Sequence, residues 1–316
     1  MRVLFWGTPE FAAPPLRALL GEGFEVIGVV TQPDRPQGRS RSALVASPIK
    51  QIAVEESIAV LQPEKPRGPE FIDQLRALEP DISIVVAYGH ILPRDVIDLP
   101  KLGTLNIHAS LLPQWRGAAP IQAAIRAGQT ETGITIMRMV TRLDAGPILV
   151  QVPTPILHDE TYGELQLRLS ELGALALIEA LSLIDIGEAT ERPQDDAAAT
   201  FAPKIEREDA RLDWSRPASD IACAVRAFDP KPGAFTTLRG AEMKLFGARP
   251  WPHTPGVNAD DAAPGIVVAI DDEGGVVATG NGLVRIIDAQ PAGKRRLSIA
   301  ELARGRGIHV GDRLGA

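Results

Sequence analysis

The chain has 316 residues, 45 % of them apolar and 23 % charged, with a net charge of −7. That length supports two domains with sizeable cores, and the composition is that of an ordinary globular protein. No apolar run approaches the ~20 residues of a membrane helix, a single cysteine, Cys223, excludes an internal disulfide and a multi-cysteine metal site, and the charge does not announce a nucleic-acid binder.

Arg2 to Gly7 (RVLFWG) reads as a short buried strand, ended by Thr8-Pro9. No charged leader or signal peptide stands before it, so a cytoplasmic protein is the simple expectation. Pro14-Pro15 can open a helix through Leu16, Leu19 and Leu20, and Val26 to Thr31 is a second apolar strand. Apolar runs alternating with helices mark a parallel sheet covered on both faces. The first turn, Gly7-Thr8-Pro9-Glu10, lacks the glycine-rich dinucleotide fingerprint and argues against an NAD enzyme. Residues 32–42 combine proline, glycine and serine with Arg35, Arg39 and Arg41, the composition of a flexible basic loop. Ser47-Pro48 caps a helix to about Glu56. Ala59 to Gln62 is a brief strand, and Pro69 to Leu78 has apolar residues at helical spacing.

Asp81 to Tyr88 is the strongest buried strand and ends in Gly89-His90-Ile91-Leu92-Pro93. Thr104 to His108 alternates polar and apolar, so Leu105 and Ile107 face a core while Thr104, Asn106 and His108 face the other way. Asn106 is a donor that cannot titrate, and His108 can exchange a proton near neutrality. The bland alternative is a satisfied polar pair on a core strand. Ser110 to Pro113 turns the chain, Trp115-Arg116-Gly117 is irregular, and Pro120 opens a short helix to Ala127. Ligands of open α/β sheets bind beyond the carboxyl ends of the strands, where both the 89–93 loop and the Asn106–His108 stretch end, so they should flank one cleft.

Gly133 to Met139 is a further strand, and Val140 to Leu149 turns back to another. The carboxylate of this turn, Asp144, precedes Ala145-Gly146. Thr161 and Glu164 form a capping box for a long helix to about Ile184. Gly187 to Lys204 lacks periodicity and reads as a connection between domains. Ser215 is the expected N-cap of a helix over 217–228 containing Cys223, read as a small buried apolar residue. Five β-prone runs follow, at 234–238, 242–246, 265–270, 275–279 and 283–289, with the spacing of a small antiparallel barrel. Ser298 and Glu301 form another capping box, and Lys294-Arg295-Arg296 is the densest basic cluster. Residues 1–206 carry 18 basic and 26 acidic side chains, and residues 207–316 carry 15 and 14. This asymmetry permits RNA binding by the C-terminal part.

The string N-x-H followed by SLLPQWRGAAPIQ closely resembles the signature of the folate-dependent formyltransferases, and Asp144 stands in the D-x-G context of that family. The opening FWGTPEFAAPPL is similar to the start of those members that formylate methionyl-tRNA. The resemblance covers nearly the whole chain. It implies a Rossmann-like, doubly wound, mostly parallel α/β catalytic domain over 1–187, a linker over 188–206, and an OB-like C-terminal β-barrel over 207–316 that helps to hold tRNA. It implies transfer of the formyl group of 10-formyltetrahydrofolate to the amino group of methionyl-initiator-tRNA, for translation initiation. Asn106, His108 and Asp144 would be catalytic. Ser110, Leu111, Leu112 and Pro113, with the backbone near Ile91 and Leu92, would bind folate. Arg39 and Arg41 would lie on a loop that reaches the tRNA acceptor stem. No metal, no membrane and a monomer are expected. Relatives acting on glycinamide ribonucleotide, on formyltetrahydrofolate with water, or on sugar nucleotides share the core but not this combination of loop and barrel. An RNA-binding protein with a silent core is opposed by the intact Asn106, His108 and Asp144.

Overall fold

The computed structural model describes residues 1–37, 43–252 and 262–315. Its strands and helices, in chain order, are β1 (Arg2–Gly7), α1 (Ala13–Gly21), β2 (Glu25–Val30), β3 (Arg35–Gln37), β4 (Ala43–Val45), α2 (Pro48–Glu55), β5 (Val60–Leu61), α3 (Pro69–Ala77), β6 (Ile82–Val86), α4 (Arg94–Ile97), β7 (Thr104–His108), β8 (Arg116–Gly117), α5 (Pro120–Arg126), β9 (Glu131–Arg138), β10 (Ile148–Pro155), α6 (Tyr162–Asp185), β11 (Phe201–Ala202), α7 (Ala218–Phe228), β12 (Ala234–Leu238), β13 (Ala241–Trp251), β14 (Val267–Asp271), β15 (Gly274–Ala278), β16 (Leu283–Pro291), β17 (Leu297–Ser298) and α8 (Ile299–Arg304). Three short 3-10 turns complete the set.

The chain divides into two compact units. The first comprises residues 1–117, 132–154 and 166–201, and the second 118–131, 155–165 and 202–316.

The first unit is built on a seven-stranded sheet in the order β10-β9-β7-β6-β1-β2-β5. The strands from β5 to β7 run parallel, and β9 is antiparallel to β7. Val3 to Trp6 and Ile82 to Val86 are buried throughout, as strands covered on both faces must be. The chain builds outward from β1 to β5, then resumes on the other side of β1 with β6 and β7. That reversal is a topological switch point, beyond whose carboxyl ends ligands bind in such sheets. Ser47 caps α2 through its hydroxyl, which accepts from Lys50 N at 3.1 Å, as its sequence suggests.

The second unit is an antiparallel sheet in the order β12-β13-β16-β15-β14, with β17 on β16. Its two edges are joined by the chain near its end: Ile266 bridges Arg313, and Leu238 bridges Leu314. Closure of this kind makes the sheet an OB-like barrel. Its core gathers Trp214, Val225, Phe228, Leu245, Val284 and Ile286. α7 lays Ile221, Ala222 and Val225 on this core.

Four details differ from the sequence reading. Ser215 does not cap α7, because its hydroxyl donates to Asp213 Oδ1 at 2.6 Å and Pro217 takes the N-cap position. β13 does not stop at Phe246 but runs through Gly247 to Trp251. Cys223 is half-buried and lies 3.4 Å from Arg226 Nη2 rather than in an apolar pocket. In the basic cluster, Arg296 is committed internally, with Asp288 at 2.9 Å, Asp229 at 3.3 Å and its guanidinium over the Phe246 ring.

Candidate active site

β7 carries Asn106 and His108 at alternate positions, next to β6 on one side and β9 on the other. Leu105 and Ile107, which alternate with them, are buried, which fixes the strand's register. Thr104 is also buried, its hydroxyl donating to Ile97 O at 2.7 Å. Asn106 is partly exposed, and its amide has no hydrogen-bond partner among the described residues. His108 is buried and Nε2 lies 3.0 Å from the carbonyl of Trp115. A carbonyl only accepts, so the proton of the neutral ring sits on Nε2 and the lone pair on Nδ1. Nδ1 is the atom that faces Asp144, whose Oδ2 is 3.8 Å away. Burial pushes the His108 imidazole below its ordinary range; the Asp144 carboxylate and the Trp115 carbonyl oppose that shift without cancelling it. The ring is therefore neutral at physiological pH, with an unprotonated nitrogen beside a carboxylate.

Asp144 lies in the turn between β9 and β10. Its Oδ2 accepts from Gly117 N at 2.8 Å. Its backbone is left-handed, with φ of 46°, and so is that of Trp115, with φ of 60°. Such conformations are strained for residues that carry a Cβ, and they cluster at functional sites. Gly146 is required by close approach: a Cβ there would lie 1.8 Å from Arg138 O. This accounts physically for the glycine two places after the aspartate.

The turn after β7 is held from beneath. Thr135 Oγ1 donates to Ser110 O at 2.6 Å and accepts from Leu112 N at 3.2 Å. Gln151 Nε2 donates to Leu112 O at 2.8 Å. The Ser110 hydroxyl turns inward to Gln114 O at 2.6 Å. Leu112 is buried with Met137 and Ile148, so it is a packing residue of this turn. Leu111 lies against Gly133, and Pro113 is half-buried. Beyond β6, Leu92 is buried in the core, whereas Ile91 is 84 % exposed. His90 is exposed, its ring tilted at 55° to that of the buried Tyr88 with 5.6 Å between centroids. Arg39 and Arg41 lie outside the described residues.

The structure thus brings Asn106, His108 and Asp144 to one place, with Ser110 to Pro113 directly following. Sequence reasoning missed the side chains that hold them. Arg116, 4 % exposed, sends Nε and Nη2 to Gln194 Oε1 at 3.0 and 2.7 Å. Gln194 Nε2 donates to Asp144 O at 2.9 Å and Gly146 O at 2.7 Å. Thr200 Oγ1 accepts from Trp115 N at 2.9 Å. The signal for Arg116 was its place inside the string that follows N-x-H, and that for Thr200 was the likeness of Thr200 to Ile205 to the family's segment there; neither gave the side chain a role, and Gln194 had no signal. Among the described residues no group of three His, Cys, Asp or Glu could hold a metal ion, and no helix is long and apolar enough to cross a membrane.

Comparison with known proteins bears on this geometry. Residues 1–181 match the formyl transferase family model, and residues 204–307 match the model of the formyl transferase C-terminal domain. The methionyl-tRNA formyltransferase of Aromatoleum aromaticum is 49 % identical over 316 residues, covering 100 % of this chain and 98 % of that one. That of Methylococcus capsulatus is 47 % identical over 315 residues, covering 100 % of both. Among solved structures, HypX of Aquifex aeolicus in complex with tetrahydrofolic acid shares the fold with a TM-score of 0.63 at 22 % identity, over 96 % of this chain and 46 % of that one. With both domains matched and two relatives close to half identical from end to end, the chain belongs to the formyl transferase family.

Proposed function

We propose that the protein transfers the formyl group of 10-formyltetrahydrofolate to the amino group of methionyl-initiator-tRNA, giving the N-formylated product used in translation initiation. The observation that carries this reading is the full-length likeness, over both domains, to relatives named methionyl-tRNA formyltransferase. Residues 1–187 supply the chemistry, 188–206 the connection and 207–316 a surface for tRNA. The protein acts as a cytoplasmic monomer and without a metal.

The reaction is acyl transfer between nitrogens. The amine nitrogen attacks the formyl carbon, the carbonyl oxygen takes up negative charge, and collapse breaks the bond to the folate nitrogen. One proton leaves the amine and one arrives at the folate. The Asn106 amide is a neutral donor for the developing oxyanion. His108 Nδ1 accepts the amine's proton, because Nε2 is already spent on Trp115 O. Asp144, 3.8 Å from Nδ1, stabilises the imidazolium so formed. Ser110 to Pro113 and the backbone at Ile91 and Leu92 border the folate, and the exposed Ile91 side chain offers an apolar face to a flat ring. Arg39 and Arg41 meet the acceptor stem.

The test is direct. Purified protein is mixed with 10-formyltetrahydrofolate and, in turn, methionyl-tRNA, free methionine and an amino-sugar nucleotide. Formylation of methionyl-tRNA alone is expected; formylation of the amino sugar in its place would replace this reading.

A further inference from the structure

Residues 192–200 belong to what the sequence presents as connecting chain, yet their bonds converge on the turn that carries Asp144 and on the segment whose Trp115 carbonyl meets His108. Arg192 exchanges backbone bonds with Ile148 at 2.8 and 2.9 Å. Asp196 pairs with Arg116 at 2.9 Å and with Arg142 at 2.7 Å. Gln194 and Thr200 do more than pack. The two residues they hold, Asp144 and Trp115, are left-handed although each carries a Cβ. Each such conformation costs about 1–2 kcal/mol and persists only where surrounding bonds determine it.

The Gln194 amide is chemically suited to its place. Its oxygen receives two donors of the Arg116 fork, and its nitrogen gives one hydrogen to each of two carbonyls, Asp144 O and Gly146 O. A carboxylate could not donate there, and an ammonium could not accept. Thr200 grips Trp115 and Arg116 from the other side. Its hydroxyl accepts from Trp115 N at 2.9 Å, and its carbonyl accepts from Arg116 N at 2.9 Å. The Trp115 carbonyl, so placed, receives His108 Nε2.

We propose that Gln194 and Thr200 are positioning residues, Gln194 fixing the turn that presents Asp144 and Thr200 fixing the carbonyl that sets the His108 tautomer. Their catalytic consequence rests on the function proposed above; the positioning itself does not. A displacement of about 1 Å in such a group can cost up to 10²-fold in rate.

The experiment uses the full chain and the variants Gln194→Glu, Thr200→Val and Thr200→Ser. Imidazole nitrogen NMR of the substrate-free protein, assigned by comparison with His108→Asn, reports the tautomer and titration midpoint of His108. Gln194→Glu replaces the donor to Asp144 O and Gly146 O by an oxygen that repels both carbonyls, so the turn should shift and the His108 nitrogen shifts should change. Thr200→Val removes the acceptor for Trp115 N and should alter the His108 nitrogen shifts; Thr200→Ser keeps a hydroxyl and should restore them. In the formylation assay, Gln194→Glu and Thr200→Val should lower kcat roughly 10- to 100-fold, leave both KM values within about twofold, and lose that effect in Thr200→Ser. Unchanged His108 shifts and midpoint in folded Gln194→Glu and Thr200→Val would overturn the proposal. A wild type that does not formylate methionyl-tRNA would instead overturn the assigned function, with the NMR comparison still deciding the positioning.

Discussion

In the proposed reaction His108 is the proton acceptor, and its local bonds dictate how. With Nε2 donating to Trp115 O, only Nδ1 is free to take a proton. The proposed reaction needs the neutral ring, whose pKa burial has lowered. Activity is therefore present above that lowered value and lost as pH falls through it, so the acid limb of kcat should lie below the ordinary histidine value of about 6.5. Asp144→Asn removes the charge that opposes the shift, and the limb should move further toward acid while kcat falls; a limb that moves upward would contradict the arrangement. Asn106→Ala, His108→Ala and Asp144→Ala should each reduce transfer by roughly two to four orders of magnitude in a protein whose circular dichroism is unchanged. A variant of near-normal rate would remove that residue from the site. Asn106 and His108 stood out in the sequence because they alternate with apolar residues on a strand inside a long distinctive string, and Asp144 because of its D-x-G context. The contacts of Gln194 and Thr200 were not legible. These two stand 78 and 85 residues from the groups they bind, are of ordinary polar type, and occupy a stretch without periodicity.

The elements around the site were legible where burial enforces a period. β1, β6 and β7 appear as apolar or alternating runs, and the fold places them side by side at the switch point. What the pattern does not give is the direction of a side chain in a turn. Leu112 reads as part of a binding turn, but its side chain belongs to the core with Met137 and Ile148. Leu112→Asp would bury a carboxylate there, a cost of several kcal/mol. It should lower the melting temperature or prevent folding, rather than weaken folate binding alone; a normally stable variant would place Leu112 on the binding surface. Gly146→Ala presses a methyl group on Arg138 O and should cost about 1–3 kcal/mol. Thermal unfolding measures this directly, and an unchanged midpoint would show that the turn yields freely. Gly247 misled the strand boundary for a related reason: a glycine reads as a stop, yet β13 continues through it opposite β16.

At the scale of the molecule, charge and closure matter most. The second unit has nearly balanced charge, and many of its arginines are engaged: Arg207, Arg211, Arg216, Arg239, Arg249, Arg285 and Arg296 all pair with carboxylates. RNA affinity is expected to come from local patches among the remaining cations and from residues 32–42. Arg39 and Arg41 changed together to Ala should depress formylation of methionyl-tRNA, spare tetrahydrofolate binding, and reduce the salt slope of tRNA binding by about one per lost phosphate contact. Equal formylation by both proteins at two salt concentrations would assign recognition to the second domain. The two-domain plan was visible in the spacing of five β-prone runs, but the manner of closure was not, because residues 311–315 show no β pattern. Their bonds nonetheless reach both edges of the sheet: Asp312 O accepts from Val267 N at 2.9 Å, Leu314 N donates to Gly265 O at 2.8 Å, and Gly315 N donates to Thr237 O at 2.8 Å. An open edge is a template on which another chain can add a strand. These residues consequently act as a clasp against aggregation: a chain cut after Val310 should keep most of its secondary structure yet sediment as multimers, its uncovered edges pairing with those of its neighbours.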